Sequence, residues 1–495
     1  MNQSTVVRRT ALLWAVALGA LADGLIRVSG RPGVNVALWA VAGCAALVVL
    51  LRRRVDPASD ETSWLVGGAL AFAVTLMLRD DDALALFALV AAALLLLLAA
   101  GRATAAWVTQ AQASDAVLAA ARVALLCAAG PLGWGRGVPD DVPPSTGLTR
   151  QARTVARGIV LALPALLVLA ALLMSADAMF MRLVRDLVQV DLAPLVHHLV
   201  FAAVIAWLVA GYLRAFLVGD DDAMHRVRFP QVTLASAEVT IALWILNLLF
   251  GAFMAVQLRY LFGGADLVEV TPGLSYAEYA RRGFFELVAS AALVVPLLLL
   301  ADWAAAPTTA RARAVLRATM LVLVVLLIGV IASAAYRMQM YQQAYGLTEL
   351  RLFVSVVIVW LVAVLGWLVH TVLRGRRARF LFGCLVAGLA CIAGLIVLSP
   401  HALIARVNLT RAIAGAPYDG AYVETLSADA VPTLVAHLAR LPEAERCRVT
   451  RYLGERWSGE RPGGWRTWNL SDWRARRLVA PLVGTWGCAA EPVRR

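Results

Sequence analysis

Three stretches of this sequence hold arginine, carboxylate and tyrosine side chains at spacings that could support chemistry. The first runs from Arg259 through Tyr260 and Phe262 to Ser275, Tyr276, Glu278, Arg281, Arg282 and Glu286. If the chain is helical from Tyr276, Glu278 has Arg281 and Arg282 at i+3 and i+4, and Arg282 has Glu286 at i+4. The second runs from Tyr336 to Arg351. On a helix ending near Tyr345, Arg337 and Tyr341 share a face, Gly346 reads as the break, Thr348 caps the next helix, and Glu349 and Arg351 open it. The third, Ser399 to Asn408, adds His401, Arg406 and an amide.

These residues support three kinds of function. Guanidinium groups bind phosphate oxyanions in a bidentate way, so Arg259, Arg281, Arg282 and Arg337, with Glu278 or His401 as base, would suit an enzyme acting on a lipid-linked phosphate. Glu286, Glu238 and Asp23, inside or beside apolar runs, could instead carry charge in a secondary transporter or flippase, with Pro296 permitting rocking. No repeat between the two halves supports that alternative. The leading reading is a non-catalytic envelope scaffold or sensor, in which paired charges let helices carry polar groups and a partner protein or small-molecule ligand meets the Arg/Glu/Tyr cluster. No GxSxG, HExxH, P-loop or glycine-rich dinucleotide loop occurs, and the six histidines are scattered. His197 and His198 are adjacent and point to different helix faces, which argues against a metal site, and no cofactor is expected. Asp80 to Asp82 and Asp220 to Asp222 read as solvated turn acids, and Asn247 as a hydrogen bond to a neighbouring helix.

The elements that must position these groups are membrane helices. The 495 residues are 61% hydrophobic and 16% charged, with mean hydropathy +0.76, against about 45–50% and about 25% in soluble domains. Apolar runs at Val34–Leu51, Ala83–Ala100, Gly158–Met174, Val239–Val256, Ala318–Tyr336, Leu352–Val369 and Phe380–Leu398 nearly match the hydrocarbon thickness. Thr10–Ile26, Trp64–Leu78, Ala193–Leu213 and Gly283–Ala301 are shorter or carry a polar interruption. The expected fold is therefore all-α and polytopic, with about eleven crossings. Residues 1–102 supply crossings one to four, 103–157 an interfacial amphipathic helix and cytoplasmic loop, and 158–399 the core bundle of crossings five to eleven. Residues 400–495 form a small helical domain outside the cytoplasm.

All 45 basic residues are arginine, and the net charge is +13. They lie in ones to fours between apolar runs, a membrane pattern rather than a nucleic-acid face. With the N-terminus cytoplasmic, the inner connections hold about twice as many arginines as the outer ones, which orients the chain and leaves the tail extracytoplasmic. In that compartment Cys447 and Cys488 could pair, while Cys44, Cys127, Cys384 and Cys391 sit in or beside apolar runs.

The segments SYAEYARRGFFEL, YRMQMYQQAYGLTELRLF and PHALIARVNLTR followed by LSADAVPTL, within about residues 237–434, resemble an uncharacterised family of bacterial multi-pass membrane proteins, a domain of unknown function. The resemblance implies a polytopic bacterial inner-membrane protein, with the bilayer as a partner. It supplies no activity, substrate or catalytic residue.

Overall fold

The computed structural model describes residues 3–27, 31–52, 60–101, 113–133, 193–217, 234–262, 284–306, 308–416, 419–459 and 464–482, with isolated positions between 158 and 177. The protein is an all-α polytopic membrane protein. Its bundle helices are α1 (Gln3–Ala22, continued by a π-helical turn Asp23–Arg27), α2 (Val34–Arg52), α3 (Asp60–Thr75), α4 (Asp82–Gly101), α5 (Ala113–Ala129), α6 (Ala193–Leu217), α7 (Ser236–Phe262), α8 (Phe284–Ala304), α9 (Ala310–Tyr345), α10 (Glu349–Thr371) and α11 (Phe380–Leu398). The tail holds α12 (Pro400–Ile413), α13 (Gly420–Val423), α14 (Val431–His437), α15 (Glu443–Trp457) and α16 (Leu470–Val479), with short 3₁₀ turns at Ala428–Ala430 and Gly464–Thr467.

Among the described residues, nine helices are long and apolar enough to cross a membrane: α1, α2, α4 and α6 to α11. Of the eleven expected crossings, Trp64–Leu78 folds as the shorter apolar helix α3, and Gly158–Met174 lies outside the described residues apart from isolated positions. The stretch expected to lie in the interface supplies α5. This helix packs against α4 and α6, with Val123 buried and the Trp207 indole of α6 donating to the Ala128 carbonyl at 2.9 Å.

Two apolar cores hold the bundle. Helices α1 to α6 close around Leu47, Leu50, Leu65, Leu95, Leu213 and Phe216. Helices α7 to α10 close around Leu243, Leu298, Met320, Leu327 and Leu365. Small residues set the α1–α6 contact: Gly19 lies so close to the Ala202 carbonyl and Ala206 that a Cβ would clash, the approach small side chains permit between membrane helices. As expected, Asn247 donates across helices, to the Thr319 carbonyl of α9 at 3.1 Å. Lipid-facing side chains stay exposed, as along Ile241, Ile245, Leu248 and Leu249 of α7. In the bilayer such groups gain nothing from burial against protein.

Helix α9 runs 36 residues, or about 54 Å at the helical rise, well beyond the hydrocarbon core. It begins before the expected Ala318 and carries Arg311, Arg313 and Arg317 in its first turns. Its Thr309 N-cap accepts from Ala312 N–H at 3.1 Å. At the other end, Gly346 stops it with φ 77° and ψ −175°, a region essentially reserved for glycine. Thr348 occupies the N-cap of α10, yet its side chain makes no capping bond, a correction to the expected cap.

The tail is not a tethered appendage. Its core, built on Ile404, Leu409, Leu426, Val431, Leu434, Leu453 and Trp457, is continuous with Leu84 of α4, Leu347, Leu352 of α10, and Leu395 and Ile396 of α11. The turn after α1, the α3–α4 turn, the α9–α10 turn and the end of α11 therefore share one end of the bundle, and the tail packs across it.

Candidate functional site

The polar groups that converge do so at this junction. The α3–α4 turn provides Arg79, Asp80 and Asp81. Asp81 caps α4: its Oδ1 accepts the Ala83 and Leu84 N–H groups at 2.9 and 3.0 Å, the N-cap bond that satisfies orphan amides. Its Oδ2 is fully buried and has no hydrogen-bond partner. The nearest cationic atom is His401 Nε2, at 3.6 Å.

His401 is in the first turn of α12, just after Ser399, whose left-handed backbone (φ 53°) turns the chain out of α11. The imidazole is buried. Nε2 lies 2.6 Å from Glu349 Oε1, and Nδ1 accepts from the Ser427 N–H at 2.9 Å, with the Ser427 hydroxyl at 2.7 Å. The neutral ring thus carries its proton on Nε2, toward Glu349. Burial works against a charged imidazolium. The Glu349 hydrogen bond and the charges of Asp81, Glu349 and Asp429 outweigh it and hold His401 above the usual histidine range.

Asp429, buried behind Ser427, gathers a second set of donors. Arg79 reaches its Oδ1 at 3.4 Å, the Asp80 N–H donates to its Oδ2 at 3.1 Å, and the Ser471 hydroxyl donates to its Oδ1. Arg79 also donates from Nε to the Ile396 carbonyl at 2.9 Å and from Nη2 to the Val397 carbonyl at 3.3 Å, holding the end of α11. Asp80 accepts from Asn469 Nδ2 at 2.9 Å and from the Ala428 N–H at 3.4 Å. Burial pushes the Asp80 carboxyl up, partly offset by the Asn469 bond, and burial likewise raises Asp81, partly offset by His401. The expectation that Asp80 and Asp81 are solvated is therefore corrected: Asp81 is buried and Asp80 half-buried, because the tail folds over them. Asp82 alone is exposed.

A third set closes the α9–α10 turn. Asn408 of α12 accepts the Leu347 N–H and donates to the Leu347 carbonyl, both at 2.8 Å. Arg411 donates to the carbonyls of Gln342, Gln343 and Ala344, the last turn of α9. Arg351 donates to the Tyr345 and Gly346 carbonyls, at 3.1 and 2.6 Å, with its guanidinium 4.1 Å from the Tyr341 ring centroid. The Glu349 N–H donates to the Tyr422 hydroxyl at 2.9 Å.

The expected site residues therefore separate. Glu349, His401, Arg351 and Tyr341 lie at the junction. Arg337 is buried one turn before Tyr341, where it donates to Gln257 Oε1 of α7 at 2.7 Å, with Ser333 on the same oxygen at 3.2 Å. Arg406 is exposed on α12, and Glu286 is exposed in the first turn of α8. Glu278, Arg281 and Arg282 lie outside the described residues, as does the Arg259 side chain. Glu238 accepts from the Ala235 N–H at 3.1 Å at the start of α7. Asp23 pairs with Arg27 at 2.9 Å and with His198 at 2.6 Å, at the end of α1. The sequence reading missed Asp80, Asp81, Asp429, Asn469 and Arg411. The run of three aspartates between two apolar helices was the one signal available for the first two.

Chemically, the junction is a set of fastenings crossed by a line of titratable groups, from the one-third-exposed Glu349 through His401 to buried Asp81. Among the described residues, no group of three His, Cys, Asp or Glu side chains is placed to hold a metal ion. Cys447 is disulfide-bonded, and Cys44, Cys127, Cys384 and Cys391 are free thiols. Cys488 lies outside the described residues.

No curated protein and no solved structure matches the chain. A family profile described as "Domain of unknown function (DUF4153)" matches residues 66–437, from within α3 to the end of α14, a stretch that includes the α3–α4 turn, Glu349, His401 and Asp429 and so takes in most of this junction. The protein belongs to that family of unknown function.

Proposed function

We propose that this protein is a non-catalytic scaffold or sensor of the bacterial inner membrane, with its N-terminus in the cytoplasm and its tail in the envelope. The observation that carries the reading is the burial of Asp81, Asp429 and His401 between the tail and the bundle. Charged groups of this kind are costly to bury without partners. With Arg79 and Glu349 they join the α3–α4 turn, the α9–α10 turn and the end of α11 to one tail, which makes tail position and helix position a single mechanical unit. An envelope protein or small-molecule ligand that grips the tail would thereby bias the helices, and the exposed Arg406 and Glu286 are available to such a partner. The arginine asymmetry supports the orientation. A disulfide at Cys447 fits an oxidising compartment.

The test compares tail protection with solute movement. Asp429→Asn should increase protease cleavage of the tail in spheroplasts, and the wild-type protein in proteoliposomes should carry no solute of a broad panel under a proton gradient. Proton-driven uptake that Glu286→Gln abolishes at full abundance would replace this reading with a transporter. A co-purifying isoprenoid phosphate turned over by the protein would replace it with an enzyme.

A further inference from the structure

The segment from Gly464 to Leu478 is tied at Arg466, Trp468 and Leu470 to the ends of three bundle helices, α1, α2 and α3. Arg466 Nε donates to the carbonyl of Gly24, inside the first candidate span, at 2.9 Å. The Val34 N–H donates to the Trp468 carbonyl at 3.0 Å, and the Leu470 N–H to the Met77 carbonyl at 2.8 Å. Three backbone and side-chain ties thus fix this part of the tail to the ends of membrane helices, and tryptophan is enriched where such helices meet the headgroups.

What it exposes there is unusual for a water-facing surface. Trp465 is 58% exposed and Trp473 43% exposed. Helix α16 buries Ser471, Asp472, Ala475 and Val479 in the tail. Its other side presents Trp473, Arg474, Arg477 and Leu478, which are all exposed. Each indole has a guanidinium 5.3 Å from its ring centroid: Arg466 at Trp465, and Arg477 at Trp473. The nearby acid is already used, since Asp472 takes Arg476 at 2.9 Å. Among the described residues no carboxylate pairs with Arg466, Arg474 or Arg477.

We propose that this Trp–Arg face is a membrane-surface site for anionic phospholipid headgroups, with Trp465 and Trp473 seated among the headgroups and Arg466, Arg474 and Arg477 holding their phosphates. Planar guanidinium matches phosphate oxygens in a bidentate way, the exposed charge is positive because the one nearby carboxylate, Asp472, is buried on Arg476, and the face lies on a segment tied to the ends of the bundle helices. The site would hold the tail flat against the leaflet on its own side, whichever leaflet that is. It therefore stands apart from the scaffold or sensor reading.

The experiment uses the full chain in nanodiscs of phosphatidylcholine, alone or with one third phosphatidylglycerol, some of the lipid brominated near the headgroup end of its chains. Indole quenching is read as the difference between wild type and a Trp465→Phe/Trp473→Phe variant, which isolates the two residues. That difference should show contact with brominated lipid, and it should grow when phosphatidylglycerol is present. Arg474→Gln/Arg477→Gln, both exposed positions, should remove the phosphatidylglycerol-dependent part and weaken capture of that lipid by about fivefold for each arginine lost. Unchanged protease resistance of the rest of the tail would show that the variant is folded. Absence of quenching in both lipid mixtures, or a phosphatidylglycerol response that survives the double arginine substitution, would overturn the proposal.

Discussion

His401 Nε2 lies 2.6 Å from Glu349 Oε1, so the first turn of the tail is fastened to the first residue of α10 by a hydrogen bond that also contains a titratable group. On its far side the same imidazole faces Asp81, 3.6 Å away, while Asp429 and Arg79 complete the charged surroundings. The junction should respond to pH. Folding raises the affinity of His401, Asp80 and Asp81 for protons, and a state that binds protons more tightly than the opened state loses stability as pH rises. The loss begins above the ordinary aspartate value of 3.8 for the two carboxyls and above 6.5 for the imidazole. Tail docking should therefore be firmer at pH 6 than at pH 8. The rate of limited proteolysis within the tail, measured across that range in a protease-tolerant window, checks it. His401→Gln should flatten the part of the response above pH 6.5; a response of unchanged size in that variant would assign it elsewhere.

Asp429 is the shared acceptor of Arg79, the Asp80 N–H and Ser471. Asp429→Ala would leave those donors buried without it, and breaking such a buried set costs about 3 kcal/mol. Thermal unfolding of the detergent-solubilised protein should show the tail melting well before the bundle, with Asp429→Asn intermediate. A melting curve like that of the wild type would mean the buried carboxylate contributes little.

Gly346 makes the α9–α10 turn with φ 77°, and a Cβ there would meet Asn408 Oδ1 at 2.5 Å. Gly346→Ala should destabilise by about 2 kcal/mol from backbone strain alone, and by more from the clash. Because the clash is with Asn408, the Gly346→Ala/Asn408→Ala double variant should cost less than the sum of its parts. Strict additivity in denaturant unfolding would place the whole effect in the backbone.

The disulfide at Cys447 gives a prediction about compartment as well as covalent structure. With Cys488 as its partner, reduction of the unfolded protein should release two thiols beyond those of Cys44, Cys127, Cys384 and Cys391. A reporter that is active only outside the cytosol should be active when fused after Arg495. A silent reporter beside an active cytosolic one would reverse the orientation.

Much of the bundle was legible in the sequence because a membrane helix announces itself locally. A run of apolar residues of the right length satisfies its own backbone and needs no distant partner. That is why nine of the eleven expected spans recur as α1, α2, α4 and α6 to α11, with shifts at their ends that are largest for α9, and why Gly346 was recognisable as a break. One of them, α8, was visible despite Glu286 and Pro296. Boundaries were less secure where solvent and protein both suit a helix, as with the arginine-bearing first turns of α9.

The site was less legible. Arg337 and Tyr341 share a face, as their spacing requires, yet α7 takes one and Arg351 the other. Asp80 and Asp81 looked like loop acids, since nothing near them in sequence could bury a carboxylate; the residues that do so, Ser427 to Asp429 and Asn469 to Ser471, come some 350 to 390 positions later.

From the order of its residues alone the chain specifies an apolar all-helical membrane protein with an arginine-rich surface, because hydropathy and helical spacing act over a few turns. Which charged groups end up inside, and against whom, was settled only when the tail packed back across the bundle end. A buried charge is tolerated by the partners that surround it, and those partners are brought together by folding rather than by neighbourhood along the chain.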